Sequence, residues 1–177
     1  MDGNNDNGGS NGYGNASMAH LWEHPHLCVA IFGVQFHTPE GQQRYGASGI
    51  TDEMEPALEA AKAVGFLHQE RLMAQDGGVL LQYWRSYDDL DRWARTLPHM
   101  AWWRWLLDNA GPDVSFYHEI YQVKTAEAIY ERGCRPVGAA LIATTSPVEA
   151  GGNQSRQRQQ RFTDSATQTD SAAPASA

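Results

Sequence analysis

The sequence predicts an α+β fold, a four-stranded antiparallel sheet with helices on one face. Three observations carry this. Apolar residues recur with a period of two in four segments and with a helical period in the stretches between them. These segments follow one another as strand, helix, strand, strand, helix, strand. The apolar residues that could build a core concentrate between about residues 20 and 145, the length of one common domain.

The first strand spans Leu27 to His37 (LCVAIFGVQFH). One face carries Cys28, Ala30, Phe32, Val34 and Phe36; the other begins with Leu27, Val29 and Ile31 and turns polar at Gln35 and His37. Thr38-Pro39-Glu40-Gly41 ends it, and a loop is expected to about Gly49. A helix follows over Thr51 to Val64, with Asp52, Glu53 and Glu55 in the first turn, where carboxylates suit the helix dipole. Met54, Leu58, Ala61 and Gly65 share its stripe, and Pro56 is placed in its opening turn. Phe66 to Met73 reads as the second strand, Asp76-Gly77-Gly78 as a hairpin turn and Val79 to Trp84 as the third strand. Ser86 caps the next helix, with Leu90, Trp93, Ala94 and Leu97 at helical spacing. Pro98 opens a second helical piece, in which Trp102, Trp105 and Leu106 form one stripe and Met100, Trp103 and Leu107 another. A helix apolar on both sides is buried on both or packs on a partner. Gly111-Pro112 stops it, and Val114 to Val123 is the fourth strand.

With right-handed crossovers, β-α-β-β-α-β is the ferredoxin-like arrangement. Both helical segments then lie on one face, and the bare face needs cover. A second copy of the sheet is the simplest cover, so a homodimer closing into a dimeric α/β barrel is expected. Glu127 to Thr144 has enough apolar residues to pack back over the domain or across the dimer.

The ends read differently. The first 17 residues hold five Asn and five Gly and no branched aliphatic, so residues 1–19 are expected to be disordered. Residues 146–177 are rich in Gln, Ser, Ala and Thr, and the same is expected of them, with Arg156, Arg158 and Arg161 as solvated charges. A net charge of −8 argues against a nucleic-acid partner. No apolar run reaches the length of a membrane span and no secretory leader opens the chain, so a cytoplasmic protein is expected. Two cysteines, Cys28 and Cys134, imply no disulfide framework and fit a reducing compartment as small core residues.

The stretches QYWRSYDDLDRWAR (Gln82 to Arg95), PHMAWWRW (Pro98 to Trp105), YHEIYQV (Tyr117 to Val123) and EAIY (Glu127 to Tyr130) carry a resemblance. They resemble a family of small monooxygenase-like proteins from bacteria and from fungal secondary-metabolite clusters. That family belongs to the dimeric α/β-barrel superfamily of antibiotic-biosynthesis monooxygenases. The resemblance covers most of Leu27 to Gly138. The chain departs from the pattern after EAIY, where relatives carry an Asn-Met-Pro-Pro-like stretch and this sequence has Arg132-Gly133-Cys134-Arg135-Pro136. The resemblance implies oxygenation of an electron-rich apolar or aromatic metabolite by O2, often with no metal, haem or flavin. The same superfamily holds haem-dependent members such as aldoxime dehydratases, in which one histidine is the axial ligand. From a different class, a non-catalytic barrel holding a lipophilic ligand has the same outline.

The candidate site follows from strand parity and residue chemistry. His118, among Phe116 and Ile120, is either a base held neutral by apolar surroundings or a satisfied core histidine. Arg85 is either an anion stabiliser or the partner of Asp88 or Asp89, and Tyr121 is a candidate oxyanion donor. Tyr83, Trp84, His99, Trp103 and Glu119 are the candidate pocket wall, with core packing the alternative for each tryptophan and a solvated helix start the alternative for His99. Parity sets Glu119 and Tyr121 on the face opposite His118, so they share a site with it only if the strand twists. If haem is bound, His118 or His99 is its ligand. The run HLWEHPH (His20 to His26) has a loose metal-like spacing, but Pro25 breaks the helix that would align it, and no metal site is expected. No phosphate loop, serine elbow or CxxC occurs.

Overall fold

The computed structural model describes residues 16–148 and 155–172. In chain order the elements are β1 (Ser17–Ala19), β2 (Cys28–Phe36), α1 (Pro39–Gly46), α2 (Ile50–Ala61), β3 (Phe66–Ala74), β4 (Gly77–Trp84), α3 (Tyr87–Ala94), α4 (His99–Asn109), β5 (Val114–Gln122), β6 (Ile129–Tyr130), β7 (Thr145–Pro147) and α5 (Ser155–Ala172). The described residues form two compact units, His26–Lys124 and one made of residues 16–25, 125–148 and 155–172.

The unit His26–Lys124 contains the antiparallel sheet, in the order β3-β4-β2-β5. This is the ferredoxin-like order, with the first and third strands side by side at the centre. In the register, Phe32 lies between Leu80 and His118, and Ile31 between Leu81 and Glu119. Because strand side chains alternate, Cys28, Ala30, Phe32, Leu80, Gln82, Trp84, His118 and Ile120 share one face. The core forms on that face. Cys28, Phe66 and Trp84 from the sheet meet Ile50, Met54 and Leu58 of α2, Leu90 and Trp93 of α3 and Trp102 of α4. Burial pushes the Cys28 thiol up to about 11, so it packs as a small apolar group. Val29, Ile31, Val79, Leu81, Tyr83, Tyr117, Glu119 and Tyr121 occupy the other face, which none of this unit's helices covers. On that face the Tyr117 ring lies over Gly33; a Cβ there would come 2.2 Å from the ring, so only glycine fits.

Several boundaries differ from the sequence expectation. The loop expected after the first strand contains α1, capped by the Thr38 hydroxyl, which accepts from the Gly41 amide at 3.1 Å, with Pro39 at the first helical position. Pro56 is the seventh residue of α2 and not in its opening turn, because the helix begins at Ile50 after Gly49 in a left-handed conformation (φ +77°). The hairpin turn is Gln75-Asp76, since Ala74 already pairs with Gly77.

The second unit holds a three-stranded sheet, β6-β1-β7, and the helix α5. Ala16, Met18 and Val148 form its small core, with Trp22 and Ile129 packed against it. Phe162 of α5 is 0% exposed, Arg158 is buried and pairs with Glu127 at 2.8 Å, and Arg161 stacks its guanidinium 5.5 Å from the Trp22 ring centre. The expected disorder at residues 1–19 and 146–177 is thereby corrected where residues are described: Ser17–Ala19 is a strand and Ser155–Ala172 a helix. The reason is local. One phenylalanine and two arginines with long apolar stems anchor an otherwise polar helix, a pattern that average composition hides. The rest of those expectations lies at residues 1–15, 149–154 and 173–177, outside the described residues. The single domain expected over 20–145 is likewise divided, at Pro25 and Lys124. Among the described residues no helix is long and apolar enough to cross a membrane.

Candidate functional site

The tryptophan-rich helix α4 positions the site. Its residues Trp102 and Leu106 face the core and are buried, while Met100 (47% exposed), Trp103 and Leu107 (57%) turn toward a cavity of about 490 Å3. The sheet face supplies one wall through Ala30, Phe32, Leu80, Gln82, His118 and Ile120. Helices α2 and α3 supply Ile50, Met54, Leu90 and Trp93. The walls are mainly apolar, as suits an organic ligand that sheds water on entry.

Two histidines interrupt this apolar lining. His99 is the first residue of α4 and packs against Trp93, with ring centres 4.8 Å apart, and against Trp102 at 6.3 Å. Its Nδ1 lies 2.8 Å from the Ala94 carbonyl oxygen. Burial holds its pKa below the usual histidine value of 6.5, and the nearby His118 acts in the same direction. His118 projects from β5 and sets its ring edge-on to Trp103 at 5.1 Å. Trp103 also meets Phe116 edge-on at 5.2 Å. Charged residues Asp91, Arg95, Arg104 and Asp108 border the same cavity, and Arg95 is tied to Asp91 by two hydrogen bonds of 2.9 and 2.8 Å.

The structure brings only some of the sequence candidates together. His118, His99 and Trp103 line the cavity, and Glu119 borders it. The Glu119 carboxylate, however, accepts a hydrogen bond from Tyr121 on the opposite face of the sheet, and this contact raises the Tyr121 pKa. Tyr121 and Tyr83 belong to that opposite face, because β5 continues its regular alternation without the twist or bulge that would turn Tyr121 around. Trp84 is 0% exposed and is a core residue, edge-on to Phe66 at 5.3 Å, with its indole N–H donated to Gln82 at 3.2 Å. Arg85 donates to Asp89 at 2.8 Å, the blander of its two readings, and stands outside the cavity lining. Its guanidinium is the main reason that the buried Asp89 carboxyl sits below the usual carboxylate range.

Phe32, Met54, Gln82, Met100 and Ile120 are wall residues that the sequence reading left out. Parity with His118 could have found Phe32 and Ile120, and the second stripe of α4 could have found Met100. Gln82 had a weaker signal, a lone polar residue in an apolar strand. Outside this unit, the His20 ring hydrogen-bonds Ser146 at 2.7 Å and Thr144 at 2.9 Å, and His24 bonds the Ile142 carbonyl.

Haem requires an axial ring nitrogen facing open space. His118 and His99 both line the cavity, so the donor set fits, and Arg104 at its border is a cation for a propionate. Such a group would supply iron redox chemistry.

None of the curated proteins matches the sequence. Among solved structures the chain resembles an aldoxime dehydratase, with a TM-score of 0.55 and 18% identity over 86% of this chain and 44% of that one. A second, the aldoxime dehydratase OxdRE with butyraldoxime, has a TM-score of 0.52 and 18% identity over 86% and 44%. SnoaB, a cofactor-independent oxygenase from Streptomyces nogalater, has a TM-score of 0.35 and 12% identity over 57% of this chain and 96% of its own. At such identities the dehydratase likeness speaks to the fold, and the chain spans less than half the length of those two enzymes. The sequence model of the monooxygenase af470-like family matches residues 27–138, which contain the whole four-stranded sheet and every wall of the cavity. The chain belongs to that family of monooxygenases.

Proposed function

We propose that the chain oxidises an apolar or aromatic secondary metabolite with O2 in the cavity beneath α4, with no metal or flavin, as a step in natural-product biosynthesis. The observation that carries this reading is the cavity itself: about 490 Å3, walled by Phe32, Met54, Trp93 and Trp103, and broken by two histidines. The chemistry needs no external reductant if the substrate supplies the electrons. A methylene activated by neighbouring aromatic rings or carbonyls loses a proton, and its carbanion donates electrons to O2. Overall, CH2 and O2 become C=O and H2O, so one oxygen atom enters the product and the other leaves as water. The protein's part is to exclude water, hold the ring against Trp103, and move the proton. His118, which lines the cavity from the sheet side, is assigned the orientation of the reacting oxygen in this reading. The apolar face around Ile31, Leu81 and Tyr83 is proposed to pair with a second copy, which closes the barrel.

Oxygen uptake by the full chain, measured against a panel of polycyclic phenols and ketones, tests this. Uptake is expected with at least one class, and Ala30→Phe, which fills the cavity from β2, is expected to abolish it while the fold is retained. Uptake that survives the filled cavity would place the chemistry elsewhere. A haem reading is favoured by the two cavity histidines and is separated by colour: a purified chain with a Soret band lost in His118→Ala or His99→Ala would replace the cofactor-free reading. Binding of the panel without oxygen uptake would support a non-catalytic lipophilic-ligand barrel.

A further inference from the structure

His99 differs from His118 in one respect that decides what each can do. A carbonyl oxygen only accepts hydrogen bonds, so the 2.8 Å contact between His99 Nδ1 and the Ala94 oxygen requires a proton on Nδ1. In the neutral ring Nε2 then carries the lone pair. Ring neutrality is favoured twice over. The ring is packed among the indoles of Trp93 and Trp102, and it stands at the N-terminus of α4, where the helix dipole opposes positive charge. His118, by contrast, is exposed and, among the described residues, has no hydrogen bond that selects one tautomer. A base whose lone pair is held in one place needs no reorientation before it accepts a proton, and of these two rings His99 is the one so held.

We infer that His99 is the general base of the cavity, that its Nε2 takes the proton of a substrate hydroxyl or enol, and that the substrate is a hydroxylated aromatic or its keto tautomer. The inference rests on the oxygenase reading above and deepens it. In the step the O–H bond of the phenol or enol form breaks (the methylene C–H bond in the keto form), an Nε2–H bond forms, and the electron pair stays on the substrate as the enolate, the same anion that the oxygenase reading delivers to O2. The ring becomes an imidazolium beside the new anion, still held through Nδ1–H by Ala94. The other titratable or charged groups that line the cavity are His118 and Glu119 on β5, Tyr87 and Asp91 on α3, Arg95 just after it, and Arg104 and Asp108 on α4; Glu53 of α2 accepts from the Trp102 indole at 2.8 Å. Asp91 is already committed to Arg95, and Arg104 adds a positive charge that helps hold an anion.

The test uses 4-nitrophenol, whose phenolate absorbs in the visible, titrated into the full chain without oxygen between about pH 5 and pH 8, the range of histidine chemistry. Wild type is expected to ionise the bound probe at least about tenfold more readily than His99→Gln, a shift of about one pH unit, and His99→Gln is expected to lose more than His118→Gln. Equal ionisation in wild type and His99→Gln, or a loss in His118→Gln at least as large as that in His99→Gln, would overturn the assignment. No binding by wild type would overturn the reading of the cavity as a site for hydroxylated aromatics, and the base with it. Nitrogen-15 NMR of the wild-type imidazoles makes the assignment independent of how the variants fold: His99 is expected as the Nδ1–H tautomer near neutral pH, and an Nε2–H tautomer refutes it.

Discussion

Trp84 and Trp103 lie in the same helix-and-sheet layer, yet they do opposite things. Trp84 ends β4 under α3, fully enclosed, with Phe66, Trp93 and a hydrogen bond to Gln82 around it. Trp103 stands on the second stripe of α4, half-buried, with Phe116 and His118 on one side and the cavity on the other. The core tryptophans Trp84, Trp93 and Trp102 lock to one another edge-on or tilted, which fixes the floor on which α4 rests. Only then can the outer stripe of α4 remain open to a ligand. A dense aromatic segment is therefore two structures, a rigid core and a wall.

Substitutions can separate the two. Trp84→Ala removes a fully buried indole and is expected to lower stability by about 3–5 kcal/mol, read as an earlier urea midpoint. Next comes Asp89, which is buried and accepts from Arg85, Ser86 and Arg92 at 2.8–3.0 Å while its helix is capped by Ser86. Asp89→Ala is expected to cost about 1–3 kcal/mol through donors left unpaired. The folded-state pKa of Asp89 lies below its ordinary value of 3.8, so its contribution is full above about pH 4 and fades as the pH falls through the folded value. The wild-type stability curve should therefore drop more steeply below about pH 4 than that of Asp89→Ala. Trp103→Ala is expected to leave the urea midpoint nearly unchanged and to weaken binding of an aromatic ligand by about tenfold. A loss of stability in Trp103→Ala equal to that in Trp84→Ala would erase the distinction.

The sheet was legible because its strands are long and alternate cleanly: β2 carries Cys28, Ala30, Phe32 and Val34 on one side without interruption. Helix α1 was not, because Gly41 and Gly46 dilute its pattern and its apolar content is low; the Thr38-Pro39 cap was the signal. Gly41 is there because a Cβ would come 2.2 Å from the Asp113 carbonyl oxygen, a tertiary demand that helix propensity does not register. The site was legible in part. Parity separated His118 from Glu119 and Tyr121, as the register has it. What parity cannot give is depth: it set Tyr83 and Trp84 on opposite faces but not that α3 would bury Trp84, whereas the pairing of Arg85 with Asp89 was one of the two readings open from the sequence. The polar tail misled for a similar reason, since the burial of Phe162 and Arg158 depends on partners such as Glu127 that are distant in sequence.

The central claim, that the cavity beneath α4 carries out cofactor-free oxygenation, is tested most directly by turnover under oxygen-18 gas with a substrate from the uptake panel. The account predicts one labelled atom in the organic product and one in water, with both lost in Ala30→Phe. Label appearing only in hydrogen peroxide, or product oxygen drawn from solvent, would contradict it.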